Sequence, residues 1–186
     1  DMERLFRIRE HVGEHILVRV DINQGYSREA FATFIQQMAP LNLEFIEQPL
    51  KHDDIGGMSM ISASVRKQVA ADESLHGLTD AFELAASPQP FGIFNIKLMK
   101  CGGIAQGVQI ADIAHLAGIH VMWGCMDESV VGISAALHAA LSSPATRYID
   151  LDGHLDLARD IAEGGFIMHE GRMHVLDKPG LGVTLK

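Results

Sequence analysis

Short apolar runs alternate along the whole chain with longer stretches in which apolar side chains recur every third or fourth position. Runs of the first kind predict buried strands, and stretches of the second kind predict helices with one apolar face. The predicted strands cover residues 16–20, 43–46, 69–71, 91–96, 119–123 and 148–151. A helix opens after Ser27, a residue type suited to an N-cap, and carries Phe31, Phe34, Ile35 and Met38 at helical spacing. Further helices are predicted at 58–66, 79–86, 104–117 and 128–141, and a charged amphipathic helix at the start of the chain. Pro40, Pro49, Pro88 and Pro90 fall in the predicted breaks. Beyond Gly164 the rhythm changes: residues 166–169, a turn at Glu170-Gly171 and residues 173–176 read as a hairpin.

Six strands with helices between them predict an α/β protein, specifically a partial TIM-type (β/α) barrel of about six βα units. A full barrel uses eight strands and typically about 250 residues, so the 186 residues here leave room for fewer units. A doubly wound parallel sheet is the alternative arrangement. Residues 1–163 are expected to form the barrel portion, and residues 164–186 a tail or hairpin that packs on it or on a cap.

Three of the predicted strands end on acidic residues at almost even intervals. Asp21, Glu47 and Asp72 are separated by 26 and 25 residues, which suits one βα unit each. Carboxylates at the C-terminal ends of neighbouring parallel strands share one mouth, where they repel each other unless a cation sits between them. A divalent metal site follows, with Mg²⁺ as the expected ion because all the donors are oxygen. Either Asp21 or Asp72 alone would be as well explained as a helix cap; the trio is what favours metal. Lys97 closes the fourth strand. Asn23 and Glu73 are expected to support the metal ligands through hydrogen bonds, with an ordinary surface carboxylate as the alternative for Glu73, and Lys100 is read as a supporting or solvated group.

Composition narrows the function classes. The chain is 47% apolar and 21% charged, with a net charge of −9, which argues against a nucleic-acid partner. No apolar stretch nears the roughly 20 residues of a membrane span. Cys101 and Cys125 are read as reduced thiols, and the expected location is the cytoplasm.

Five segments, in order, resemble the enolase superfamily in its muconate-lactonizing-enzyme-like branch. They are Val20-Asp21-Ile22-Asn23-Gln24-Gly25, Ile46-Glu47-Gln48-Pro49-Leu50, Ala71-Asp72-Glu73-Ser74, the 95–103 segment with Lys97 and Lys100, and Trp123 through Ser129. The resemblance implies Mg²⁺ bound by Asp21, Glu47 and Asp72, Lys97 as an acid/base, and a proton abstracted beside a carboxylate by way of an enediolate. A further segment, Asp150-Leu151-Asp152-Gly153, is similar to the Asp-x-Asp signature of dipeptide epimerases. It implies that Asp150 and Asp152, which would point the same way on a strand, hold a substrate ammonium; two caps around Gly153 are the alternative. Glu128 opens a helix at the mouth and is read as a substrate contact, with helix capping as the alternative. The expected ligand is a dipeptide or related carboxylate. Other reactions of the superfamily remain open: N-acylamino acid racemisation, o-succinylbenzoate synthesis and cycloisomerisation, as does a non-catalytic remnant.

The chain departs from the family in one respect. The family carries a Lys-x-Lys motif on the strand before the first one here, whereas this sequence has no lysine ahead of Lys51. Nor is the family's N-terminal cap recognisable. The expectation is a chain missing its N-terminal portion, a poor epimerase by itself, with open sheet edges that favour a homo-oligomer.

Overall fold

The computed structural model describes residues 2–186; Asp1, in the predicted opening helix, lies outside them. The described chain forms two compact units, residues 2–74 with Ala86–Ile93, and Leu75–Ala85 with Phe94–Lys186.

The first unit holds α1 (Met2–Val12), β1 (Val20–Asp21), α2 (Arg28–Met38), β2 (Ile46–Glu47), α3 (Ile55–Ser59), α4 (Ala63–Arg66) and β3 (Val69–Ala71). Its strands pair in chain order and in parallel, with Asp21 opposite Glu47 and Glu47 opposite Ala70. Ser27 caps α2 by accepting the Ala30 N–H. The face of α2 bearing Phe31, Phe34 and Met38 is buried with Phe45, Leu50 and Met58. Each such side chain contributes roughly 1.5–3 kcal/mol when removed from water. The helix expected over 58–66 is two helices instead. At the break between them, Arg66 donates to the carbonyls of Ser59 and Ile61 and to Gln89 O, which satisfies groups that a continuous helix would have paired internally.

The second unit holds α5 (Leu78–Ala85), nearly all of β4 (Ile93–Lys97), α6 (Leu98–Cys101), α7 (Ile104–Ala117), β5 (His120–Gly124), α8 (Val130–Ser142) and β6 (Thr146–Ile149). Four short strands follow: β7 (Ala162–Gly164), β8 (Phe166–His169), β9 (Arg172–Val175) and β10 (Val183–Leu185). β5 and β6 are parallel, β8 and β9 form the expected hairpin, and β10 pairs antiparallel with β7. Helix α6 and the strands β7 and β10 have no counterpart in the apolar rhythm, being only three or four residues long. Trp123 is fully buried, with its indole N–H donated to Thr146 Oγ1 at 2.9 Å, and Phe94, Ile96, Ile110, Ile133 and Leu137 complete this core. In strands β2, β3 and β4 nearly every residue is buried, as parallel strands covered on both faces require.

Candidate metal and substrate site

Each member of the acidic trio sits where its strand stops. Asp21 and Glu47 are the last residues of β1 and β2 and lie opposite each other in register. Asp72 follows β3 directly, two residues beyond Ala70, the partner of Glu47. That even step keeps it on Glu47's side of the pleat. Glu47 and Asp72 are both buried, at 6% and 5% exposure, an environment that carboxylates seldom occupy without a compensating charge.

The backbone brings the trio onto one face, but the side chains do not form a ready cage. Among the described residues, no three His, Cys, Asp or Glu side chains converge closely enough to hold an ion as they stand. The Asp21 carboxylate turns back to accept the Asn23 N–H at 2.8 Å. Burial, and then the charges of Glu73 and Asp72, push its pKa up, against the lowering effect of that hydrogen bond. Like charges crowded at one mouth turn away from each other, and a cation reverses this preference. The donor set itself, all carboxylate oxygen, fits a hard divalent ion such as Mg²⁺.

Glutamine side chains hold this mouth together. Gln48 is completely buried and has a left-handed backbone, with φ of +33°. Its Oε1 accepts the N–H groups of Asp72 (2.9 Å) and Ser74 (3.2 Å), and its Nε2 donates to Leu50 O (3.0 Å) and Ser74 Oγ (2.9 Å). The amide therefore makes four hydrogen bonds and fixes the backbone that presents Asp72. Gln24 is also left-handed, at +62°, next to Asn23 at +48°. Residues without the freedom of glycine adopt such conformations at a cost of about 1–3 kcal/mol, and they gather at functional sites. Nothing in the apolar rhythm of the sequence marks Gln24.

In the second unit, Lys97 ends β4 after four buried residues and is itself half-buried. Lys100, on α6, donates to Asn95 O at 3.1 Å and so braces β4. Asp150 and Asp152 are not on a strand, contrary to the expectation. Strand β6 ends at Ile149; Asp150 still donates its N–H to Trp123 O at 2.8 Å, but Asp152 has helical backbone angles and leads into a short 3-10 turn. The turn is drawn against the end of β5: a Cβ on Gly153 would lie 2.0 Å from Met126 O, so only glycine fits.

Cys125 marks where these groups meet. Its sulfur accepts the Gly153 N–H at 3.3 Å and lies 3.5 Å from Asp150 O and 3.9 Å from Asp152 Oδ1. Burial pushes its thiol pKa up, Gly153 pulls it down, and the charges of Asp152, Glu128 and Asp150 push it up further. Asp152, Glu128 and Asp150 all place negative charge near this thiol, an arrangement that attracts a cation. Glu128 is buried, with Oε1 accepting the Met126 N–H at 3.0 Å. A groove lined by Cys125, Met126, Asp127, Asp152, Gly153 and Asp156 opens beside them. Helix α8 starts here; Ser129 caps it, and Asp160, which sequence reading overlooks, accepts the Val130 N–H at 2.8 Å.

Known proteins match this chain along its length. A family model described as enolase C-terminal domain-like matches residues 1–186. The L-Lys-D/L-Arg epimerase of Methylococcus capsulatus is 54% identical over 184 residues, covering 99% of this chain and 52% of its own. The L-Lys-D/L-Arg epimerase of Desulforapulum autotrophicum is 55% identical over 183 residues, 98% of this chain and 51% of its own. A crystal structure of the Methylococcus capsulatus dipeptide epimerase with Mg and the dipeptide L-Arg-D-Lys has a TM-score of 0.95 at 54% identity, over 98% of this chain and 52% of that one. The chain thus spans about half the length of the relatives it matches. Among the described residues, no helix is long and apolar enough to cross a membrane.

Proposed function

Because this chain belongs to the enolase C-terminal domain-like family, we propose that it supplies the metal- and substrate-binding part of a Mg²⁺-dependent dipeptide epimerase. Its six βα units would be the corresponding portion of a (β/α) barrel. The observation that carries the reading is the parallel register that sets Asp21 against Glu47, with Asp72 two residues past Glu47's partner on the next strand. The two L-Lys-D/L-Arg epimerases are 54% and 55% identical to this chain over the half of their length that it matches.

Asp21, Glu47 and Asp72 would hold the ion. When bound, Mg²⁺ supplies a Lewis acid that stabilises the enediolate formed when a proton leaves the carbon next to a carboxylate. Lys97 takes that proton from one face through its Nζ and returns it. Inversion requires a second acid/base on the opposite face, a role this reading gives to none of the 186 residues. Lys100 keeps β4 and hence Lys97 in place through Asn95 O.

Asp150 and Asp152 hold the dipeptide's α-ammonium, and Glu128 shapes the same corner by fixing Met126. The groove beside them carries Asp127, Asp152 and Asp156. Such a surplus of negative charge favours a dipeptide with cationic side chains, in keeping with the Lys/Arg epimerases among its relatives.

The test is an α-proton exchange assay of the full chain with Mg²⁺ in D₂O, run across a dipeptide library and N-acylated amino acids. Deuterium entering Lys- and Arg-containing dipeptides, and lost in Lys97→Ala, supports the reading. Exchange confined to N-acylated amino acids would assign the chain to a racemase, and no exchange with any of them would contradict the catalytic role.

A further inference from the structure

The acidic trio is not the whole of the charge at the mouth of the first unit. Glu73, next to Asp72, is half-buried and its two oxygens have different surroundings. Oε1 accepts from Gln24 Nε2 at 3.1 Å, while Oε2 is shut off from solvent and has no hydrogen-bond partner. A buried carboxylate oxygen left in this way costs about 1–3 kcal/mol or more, a penalty that a donor or a cation removes.

What aims this carboxylate is a chain of hydrogen bonds through three loops. Gln24 Oε1 accepts the His52 N–H at 3.0 Å and also faces His52 Nδ1 at 3.2 Å. Since the amide oxygen is committed to His52, the NH₂ group of Gln24 must face Glu73. His52 O in turn accepts from Ser74 Oγ at 2.9 Å, and Ser74 Oγ accepts from Gln48. The Gln24 N–H closes the ring on Gln48 O at 2.7 Å. Gln24 keeps its left-handed backbone within this ring, although helix and strand geometries would be less strained.

We propose that Gln24 is a positioning residue that holds Glu73 as a fourth carboxylate for the divalent cation, with Oε2 as the oxygen that serves the ion or a water on it. This rests on the cation centre of Asp21, Glu47 and Asp72 proposed above. The loop after β1 then sets cation affinity without contributing a ligand of its own from Gln24, and the strain in it is held by the polar ring.

Mn²⁺ binding to the full chain, without substrate, tests this. Free Mn²⁺ is read by electron paramagnetic resonance, and water relaxation by bound Mn²⁺ is followed in parallel. Glu73→Gln is expected to weaken Mn²⁺ binding by about 10–100-fold and to change the relaxivity of the bound ion. Gln24→Ala is expected to weaken binding by roughly 10-fold in the natural background and to have no further effect in the Glu73→Gln background. Equal losses from Gln24→Ala in both backgrounds would overturn the proposal, as would unchanged binding and relaxivity in Glu73→Gln. Thermal melting of each variant separates an unfolded chain from a folded one with a weakened site; Gln24→Glu, which keeps the size but sets a carboxylate against Glu73, replaces Gln24→Ala if that variant unfolds, and is expected to weaken binding likewise. Glu47→Gln is the reference: its loss of binding together with unchanged Glu73→Gln refutes only the role of Glu73, whereas full binding in Glu47→Gln refutes the cation centre itself.

Discussion

The mouths of the two units both gather carboxylates, yet they hold them in opposite ways. At the ends of β1 to β3, Glu47 and Asp72 are buried while Asp21 is exposed, and Gln48 and Gln24 tie the neighbouring backbone and Glu73 into one polar ring. At the ends of β5 and β6, Glu128 is buried but Asp127, Asp150, Asp152 and Asp156 are exposed, and their closest marker is a half-buried thiol. A buried, cross-braced cluster suits a ligand that never changes, a bare ion of fixed geometry. An exposed, lightly tied one suits a ligand that varies between relatives, such as a peptide.

The sharpest way to break this contrast is at Lys97, the proposed proton-transfer group. Lys97→Ala should cut α-proton exchange by about 10²–10⁴-fold while Mn²⁺ binding stays unchanged. Next, Asp150→Asn should raise KM for a dipeptide by roughly 10–100-fold, the worth of a charge-assisted hydrogen bond. It should leave both Mn²⁺ binding and thermal stability nearly as they were, because Asp150 is exposed. If Asp150→Asn lowers ion binding instead, the division of labour between the two mouths fails.

A stability experiment separates the mouths further. Gln48→Leu leaves the N–H groups of Asp72 and Ser74 without their acceptor in a buried setting. It should cost about 1–3 kcal/mol for each group left unpaired, read from chemical denaturation, and it should weaken ion binding as well.

The smallest effect is expected at Asp160. Its carboxylate accepts the N–H groups of Val130 and Ala162, and these bonds, Val130 first, hold its pKa below the ordinary value. A lowered pKa in the folded state gives stability that is fully present above the unfolded value, roughly 3.9, and is lost as pH falls through the folded one. Asp160→Asn should therefore melt a few degrees lower at neutral pH. The gap between variant and natural protein should close as pH drops below about 4.

Much of this architecture was legible before the structure because it rests on local pattern. The apolar runs touch all six parallel strands, although the first two meet β1 and β2 only at Val20 and Ile46, and the acidic residue that ends each of the first three is visible at the interval of one βα unit. The rest depends on contacts between distant residues. Gln24 meets Glu73 across 49 positions, and Asp160 reaches the start of α8 across 30, so no local rhythm announces either. Asp150 and Asp152 show the opposite failing. Their spacing of two imitates a strand, but Gly153 packs so closely on Met126 O that the chain turns there instead. The break after Ser59 is decided by Arg66 reaching carbonyls along the chain, which apolar spacing cannot register.

The central claim is that three strand-end carboxylates share one divalent ion, and Mn²⁺ anomalous scattering from crystals of the full chain tests it most directly. The account predicts a single strong peak within coordination distance of Asp21, Glu47 and Asp72, with the Asp21 carboxylate turned away from Asn23 to meet it. A peak elsewhere, or an empty map at these three residues in saturating Mn²⁺, would contradict it.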